Sequence, residues 1–167
     1  MQFKVGDVVV HPAYGMGHVV NIKEKRFSHI NSVQMYYQIS MPNHGTVWTP
    51  VKTKASGLRL VTVKSDLGQY RNLLKTRPVY LQQERHRQHL DLVSRLKEGS
   101  FGVMCEVVRD LTLSDWQKPL GITNKTILRK TREKLYQEWA IAAGVSVAEA
   151  TEEINTLLET TVQESQE

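Results

Sequence analysis

Residues 3–22 read FKVGDVVVHPAYGMGHVVNI. Two valine-rich runs, Val8–Val10 and His18–Ile22, flank a segment that holds Pro12, Gly15 and Gly17. Short apolar runs bounded by glycine and proline are the pattern of β-strands joined by a tight turn. Further along, Val33–Ser40 is a third strand candidate, with Met35, Tyr37 and Ile39 alternating onto one face. Pro42-Asn-His-Gly45 is a turn signal, and Thr46–Thr49 follows as a fourth strand. Pro50 ends it, because proline has no amide to give to a ladder. Leu58–Val61 is a short fifth strand. Several short strands at close spacing predict a small antiparallel barrel.

After Ser65 the period changes. Ser65-Asp66 opens a helix in which Leu67, Tyr70, Leu73 and Leu74 fall at helical spacing. Arg77-Pro78 ends it, since the residue before proline avoids the α region. A second helix is predicted over Val79–Lys97, with Gly99 as its stop. A third covers Ser100–Leu113, on a stripe of Phe101, Met104, Cys105, Val108 and Leu111. A long helix over Asn124–Ala143 buries Ile127, Thr131, Leu135 and Trp139 and stops at Gly144. Ser146 caps a last helix through Leu158. The fold class is therefore α+β: a small N-terminal antiparallel β-barrel, then an all-α domain of about five helices. The expected divisions are 1–62 for the barrel, 65–160 for the helices, and 161–167 for a frayed acidic tail.

Hydrophobic residues make up 40% of the 167, enough for a core in each part. The one cysteine, Cys105, excludes an internal disulfide framework and any CxxC metal site. No run approaches a membrane span, and MQFKVGD is not the start of a signal peptide, so a cytoplasmic protein without membrane contact is expected. The net charge of +5 is unevenly spread: +5 over residues 1–62, +7 over 63–136 and −7 over 137–167. A basic body points to a polyanionic partner; a solvated surface with one acidic helix is the plainer account.

No catalytic motif is present: neither GxSxG, nor a phosphate loop, nor GxGxxG, nor HExxH. Gly15-Met-Gly17 is explained by a hairpin turn, and Cys105 by packing on its apolar stripe. His86 and His89 could share a helix face, but without a carboxylate at matching spacing they make a poor metal site. No acid, base and nucleophile assemble, so the chain reads as a binding protein, not an enzyme, with no cofactor and no metal.

The opening stretch, as FKVGDxVVxPxxGxGxVxxI, resembles the start of CarD-family (CdnL) bacterial transcription regulators. The same module occurs in the transcription-repair coupling factor. VWTPV at 47–51, LKEGS at 96–100, EVVRDL at 106–111 and KTILRKTR at 125–132 continue the resemblance in order, over residues 2 to 158. It implies a Tudor-like (SH3-like) barrel that binds the RNA polymerase β subunit. It also implies a helical domain that contacts promoter DNA without reading sequence and modulates the open complex. At the position where the family carries a DNA-wedging tryptophan, this chain has Arg85. Arginine can enter a narrow minor groove but inserts no apolar wedge.

In register with the family, polymerase contacts fall on Lys25 and Trp48, where relatives carry arginines. Strand alternation puts either Val47 or Trp48 inside the barrel. For DNA, the candidates are Arg85 and Arg87, with Lys125, Arg129 and Arg132 along one helix face and Lys130 and Lys134 in a neighbouring row. Trp116, in a linker over Thr112–Thr123, is expected to pack over the hairpin of helices or to offer a substitute contact. The reading is a monomeric polymerase-binding regulator with sequence-independent DNA contacts. The alternatives are a polymerase-binding adaptor that touches no DNA, and an RNA- or ribosome-associated protein with an SH3-like module.

Overall fold

Phe3 enters the core at 3% exposure and meets Tyr37 edge to face, with ring centroids 5.3 Å apart. The Tyr37 hydroxyl accepts from the backbone amides of Gln2 and Phe3. Next, Lys4 N–H donates to the Asp7 carboxylate at 2.8 Å and closes a turn that leads into the first strand. These contacts explain why the chain begins F-K-x-G-D: an aromatic anchor, then a self-bonded turn. A computed structural model describes residues 2–52, 57–77 and 85–164, apart from the side chains of 85–88.

Within the described residues the strands are β1 (Val8–His11), β2 (Gly15–Lys25), β3 (Gln34–Met41), β4 (Gly45–Pro50) and β5 (Arg59–Leu60). They form one antiparallel sheet in the order β4-β3-β2-β1-β5. Its inner face buries Phe3, Val9, Val19, Tyr37, Ile39, Met41 and Leu58. A side chain on Gly17 would lie 2.5 Å from Met41 Sδ and 2.8 Å from both Ile39 Cγ2 and Ser40 O. Glycine there is required by the close approach of β2 to β3.

β2 does not alternate evenly. Val19 pairs with Ile39, yet Asn21 already pairs with Gln38, which leaves Val20 as a bulge. A bulge adds one residue and reverses the side-chain parity beyond it. Val19 and Ile22 therefore both face the core, and Lys23 and Lys25 turn to the outer face. Without the bulge, the two lysines would follow Val19 inward.

The helices are α1 (Leu67–Lys75), preceded by one 3₁₀ turn (Lys64–Asp66), then α2 (Arg85–Lys97), α3 (Phe101–Gln117), α4 (Ile122–Ala143) and α5 (Val147–Glu164). They enclose a second core centred on Leu74, Cys105, Val108, Leu135, Trp139, Ile154 and Leu158. The two compact units are Met1–Val61 and Thr62–Glu167. The expected start of α2 at Val79 lies outside the described residues. α3 and α5 run further than their apolar stripes predict. α3 continues past Leu113 to Gln117, so Trp116 is helical and not in a linker. α5 continues past Leu158 because Thr161, 2% exposed, donates through Oγ1 to the Leu74 carbonyl of α1. The frayed tail expected from residue 161 is corrected accordingly for residues 161–164.

Polar anchors fix the helices. Glu138, 1% exposed on α4, accepts from both the amide and the hydroxyl of Thr62, where this unit begins. Glu153 on α5 accepts from Trp139 Nε1 at 3.0 Å and from Arg71 on α1. Two of the seven acidic residues of 137–167 are thus spent on internal bonds. Gly144 takes the left-handed conformation, φ 71°, that ends α4 and lets α5 start within three residues. Ser146 and Glu149 then cap α5 reciprocally, side chain to amide in both directions.

Candidate functional site

The outer face of the sheet carries the first cluster. In β4, Val47 lies opposite Ile39 and packs on the core, while Trp48 lies opposite Gln38 and faces out. The indole does not stand free. The Lys25 ammonium is 3.6 Å from its centroid and the Lys23 ammonium 5.2 Å. Lys25 is also 4.9 Å from the Phe27 ring, and Phe27 meets Tyr36 edge to face. The result is a flat aromatic surface with two cations held over it.

Such contacts contribute only about 0.5–1 kcal/mol each at exposed sites. Their effect is to restrict two long side chains, so a partner finds them already placed. Lys25 and Trp48 were both expected from sequence, and they come together here. Lys23 and Phe27 were missed. The signal for Lys23 was the triplet Val19-Val20-Asn21 followed by Ile22, in which two core residues stand three apart and so demand a bulge. β4 is an edge of the sheet, with β3 on its other side.

The second cluster is on α4. Lys125, Arg129 and Lys130 are exposed. Arg129 holds Glu133 at 3.6 Å, with both side chains more than 60% exposed (64% and 62%). A surface pair of that kind contributes little and yields easily to another anion. Arg132 departs from the expected row: it turns toward α3 and donates through Nη2 to Thr112 Oγ1 at 3.1 Å. Arg85 and Arg87 stand in the first turn of α2, and their side chains lie outside the described residues.

The α4 N-terminus is cationic by construction. Its cap is Gly121, which supplies no side chain to the free amides, and no acidic residue occupies the first turn. Free amides and the helix dipole favour an anion at such an end. Lys118 lines the adjoining groove of about 540 Å³ beside Ile122 and Asn124. Trp116, on the last turn of α3, is 48% exposed and Ile122 is 87% exposed.

Cys105 is fully buried, and desolvation first, then the Glu138 and Glu106 charges, push its thiol far up, so it is packing and no nucleophile. Among the described residues no group of three or more His, Cys, Asp or Glu could hold a metal. No helix of those residues is long and apolar enough to cross a membrane.

Known proteins match both units. Residues 3–62 match the family described as "CarD-like/TRCF RID domain", and residues 70–155 match "CarD, C-terminal domain". A protein of Bacillus subtilis (strain 168), named "Putative transcription factor YdeB", is 29% identical over 149 residues, which cover 86% of this chain and 94% of that one. Both matches follow the same order along the chain as the sheet and the helices.

Proposed function

The chain belongs to the CarD-like family of transcription factors, and from that membership we propose that it binds the RNA polymerase β subunit through its sheet and contacts promoter DNA through α4. The observation that carries the reading is the preset Lys25–Trp48 pair on the outer face of the domain matched at residues 3–62. A half-buried, outward-facing aromatic beside fixed cations is the composition of an interface hot spot. The β4 edge beside it can pair with an extended segment of the partner, so main-chain bonds give affinity and Trp48 and Lys25 give selectivity.

The DNA half of the proposal is supported by Lys125, Arg129 and Lys130, and by the uncapped α4 N-terminus. Cations and amides of this kind bind phosphates and carry no base code, so the contact is independent of sequence. Function then follows from holding two things at once: a polymerase lobe and the DNA next to it. The added contacts favour whichever promoter state presents both.

The test is the decay of polymerase open complexes after competitor addition, with and without the full chain, at fixed salt. A changed lifetime that returns to the protein-free value for the Lys125→Ala/Arg129→Ala variant supports the proposal. An unchanged lifetime, with polymerase binding intact, would reduce the protein to an adaptor without DNA contact.

A further inference from the structure

Two hairpin turns stand at one end of the sheet, and they are built to one pattern. His11-Pro12-Ala13-Tyr14-Gly15 joins β1 to β2, and Met41-Pro42-Asn43-His44-Gly45 joins β3 to β4. Each has proline second and a ring fourth, and the closing glycine takes a positive φ, 80° at Gly15 and 68° at Gly45. The two turns differ in how they close. In the second, the His44 amide donates to the Met41 carbonyl at 3.3 Å. In the first, no matching main-chain bond from the Tyr14 amide is present among the described residues. The Ala13 amide donates to His11 Nδ1 at 3.1 Å instead. A side chain that accepts from the amide two residues on is what asparagine and aspartate supply in an Asx turn. Here the acceptor is an imidazole nitrogen, which can take up a proton.

The same imidazole ties the two turns together. Its ring centroid is 4.8 Å from that of Tyr14, and Tyr14 is 5.3 Å from His44. Pro12 beside it lies so close to Gly57 that a Cβ on that glycine would be 2.6 Å from Pro12 Cγ, so the turn also backs the approach to β5. Among the described residues, the titratable groups that face His11 are Tyr14 and, beyond it, His44. Gly15 is its partner on β2. β5 brings Arg59 beside Val10, and that guanidinium donates to the Leu60 carbonyl. Burial of the imidazole holds its pKa below the ordinary 6.5, and no charged neighbour contributes. The neutral ring that accepts from Ala13 is thus the form that the fold favours.

We propose that His11 is a proton-operated latch, in which a proton at Nδ1 takes the acceptor from the Ala13 amide and opens the β1–β2 turn. The charged ring either swings off Tyr14 or turns over in place. The amide loses its acceptor in both cases, because turning the ring over sets carbon Cδ2 against it. The latch is closed above the ordinary histidine value and opens as pH falls through the folded one. The second turn, closed by main chain, has no such response. The latch is independent of the polymerase and DNA contacts proposed above.

The experiment is NMR of the full chain, followed from about pH 8 to about pH 5, the range in which histidines titrate. Protection of the Ala13 amide, its exchange rate taken relative to the free amide at the same pH, should fall about fivefold, the scale of one lost hydrogen bond. The fall should track the titration of the His11 ring, while the His44 amide keeps its protection. His11→Asn should protect Ala13 across the whole range, because its carbonyl accepts and does not titrate. His11→Phe should show the low protection throughout. His44→Gln should leave the Ala13 response in place. The inference is overturned if Ala13 stays protected while the His11 ring titrates, or if that ring takes up no proton before the chain unfolds. It is overturned equally if His44→Gln abolishes the response, which would put the switch on the second turn, or if His11→Asn loses protection in acid as wild type does.

Discussion

The Lys25 ammonium sits 3.6 Å from the centre of the Trp48 ring, across the β2 and β4 strands that flank β3. Trp48 faces out through its pairing with β3, but Lys25 meets it only because of the bulge at Val20, which turns Lys23 and Lys25 outward. The patch is therefore a property of strand register, and register is what mutation can test.

Deleting Val20 removes the one extra residue, so Asn21 still pairs with Gln38 and Ile22 with Tyr37, and Lys23 and Lys25 stay on the outer face of an evenly alternating β2. We predict that the N-terminal unit melts close to wild type, since no charge is carried into the core. Thermal unfolding followed by Trp48 fluorescence reads this. A large drop in melting temperature would show that β2 had slipped in register and carried the lysines inward.

Gly17→Ala tests the same sheet from the other side. Its new methyl would meet Met41 Sδ at 2.5 Å and the Ser40 carbonyl at 2.8 Å. The thioether can yield and the backbone cannot. We predict destabilisation of about 1–3 kcal/mol, the usual cost of overpacking. Chemical denaturation would show it as a lower midpoint. An unshifted midpoint would mean that the strands can separate at no cost.

How much of this was legible before the structure follows from which forces each residue obeys. The strands and helices were read from apolar period, and period is what a core imposes. Residues whose partner is polar and distant were not legible. Thr161 carries no apolar signal, yet its hydroxyl bond to Leu74 extends α5 by more than a turn. Arg132 has the spacing of a surface row, yet Thr112 draws it inward. Trp48 could have faced either way, because strand alternation sets only that neighbours oppose each other; Ile39 across the ladder decided it. Among the described candidates, Lys125, Arg129 and Lys130 were named for residue type and spacing and Lys25 for its register with the family, whereas the outward turn of Lys23 was hidden by the bulge.

Arg132 and Arg129 should separate by assay. Arg129 is exposed, so Arg129→Ala should leave melting unchanged and, with Lys125→Ala, lower the salt dependence of DNA binding by about one unit of slope per lost phosphate contact. Arg132→Ala should instead destabilise by about 1 kcal/mol through the lost Thr112 bond. Melting curves alongside salt titrations decide it. Identical profiles for the two variants would contradict the geometry.

The α5 cap gives a pH prediction. Bonds from the Ser146 backbone amide, and then from its hydroxyl, hold the Glu149 carboxyl below its ordinary value of 4.5. A depressed folded-state value means that the stabilisation is present above the unfolded value and is lost as pH falls through the folded one. The protection of the Ser146 amide, its exchange rate taken relative to the free amide at the same pH, should therefore be high near neutrality and fall in acid below that ordinary value. Glu149→Gln should show the lower protection with much less pH dependence. Equal protection of the amide in wild type and Glu149→Gln at neutral pH would remove the cap from the account.

The most direct test of the central claim is retention of the full chain by RNA polymerase core enzyme, compared with the Lys25→Glu/Trp48→Ala double variant at matched folding. Both side chains lie on the outer face, so the variant should melt within a few degrees of wild type. We predict that wild type is retained on the β subunit and that the variant loses at least about tenfold in affinity, as removal of an aromatic hot spot does. Equal retention of the two proteins by the polymerase would contradict the account.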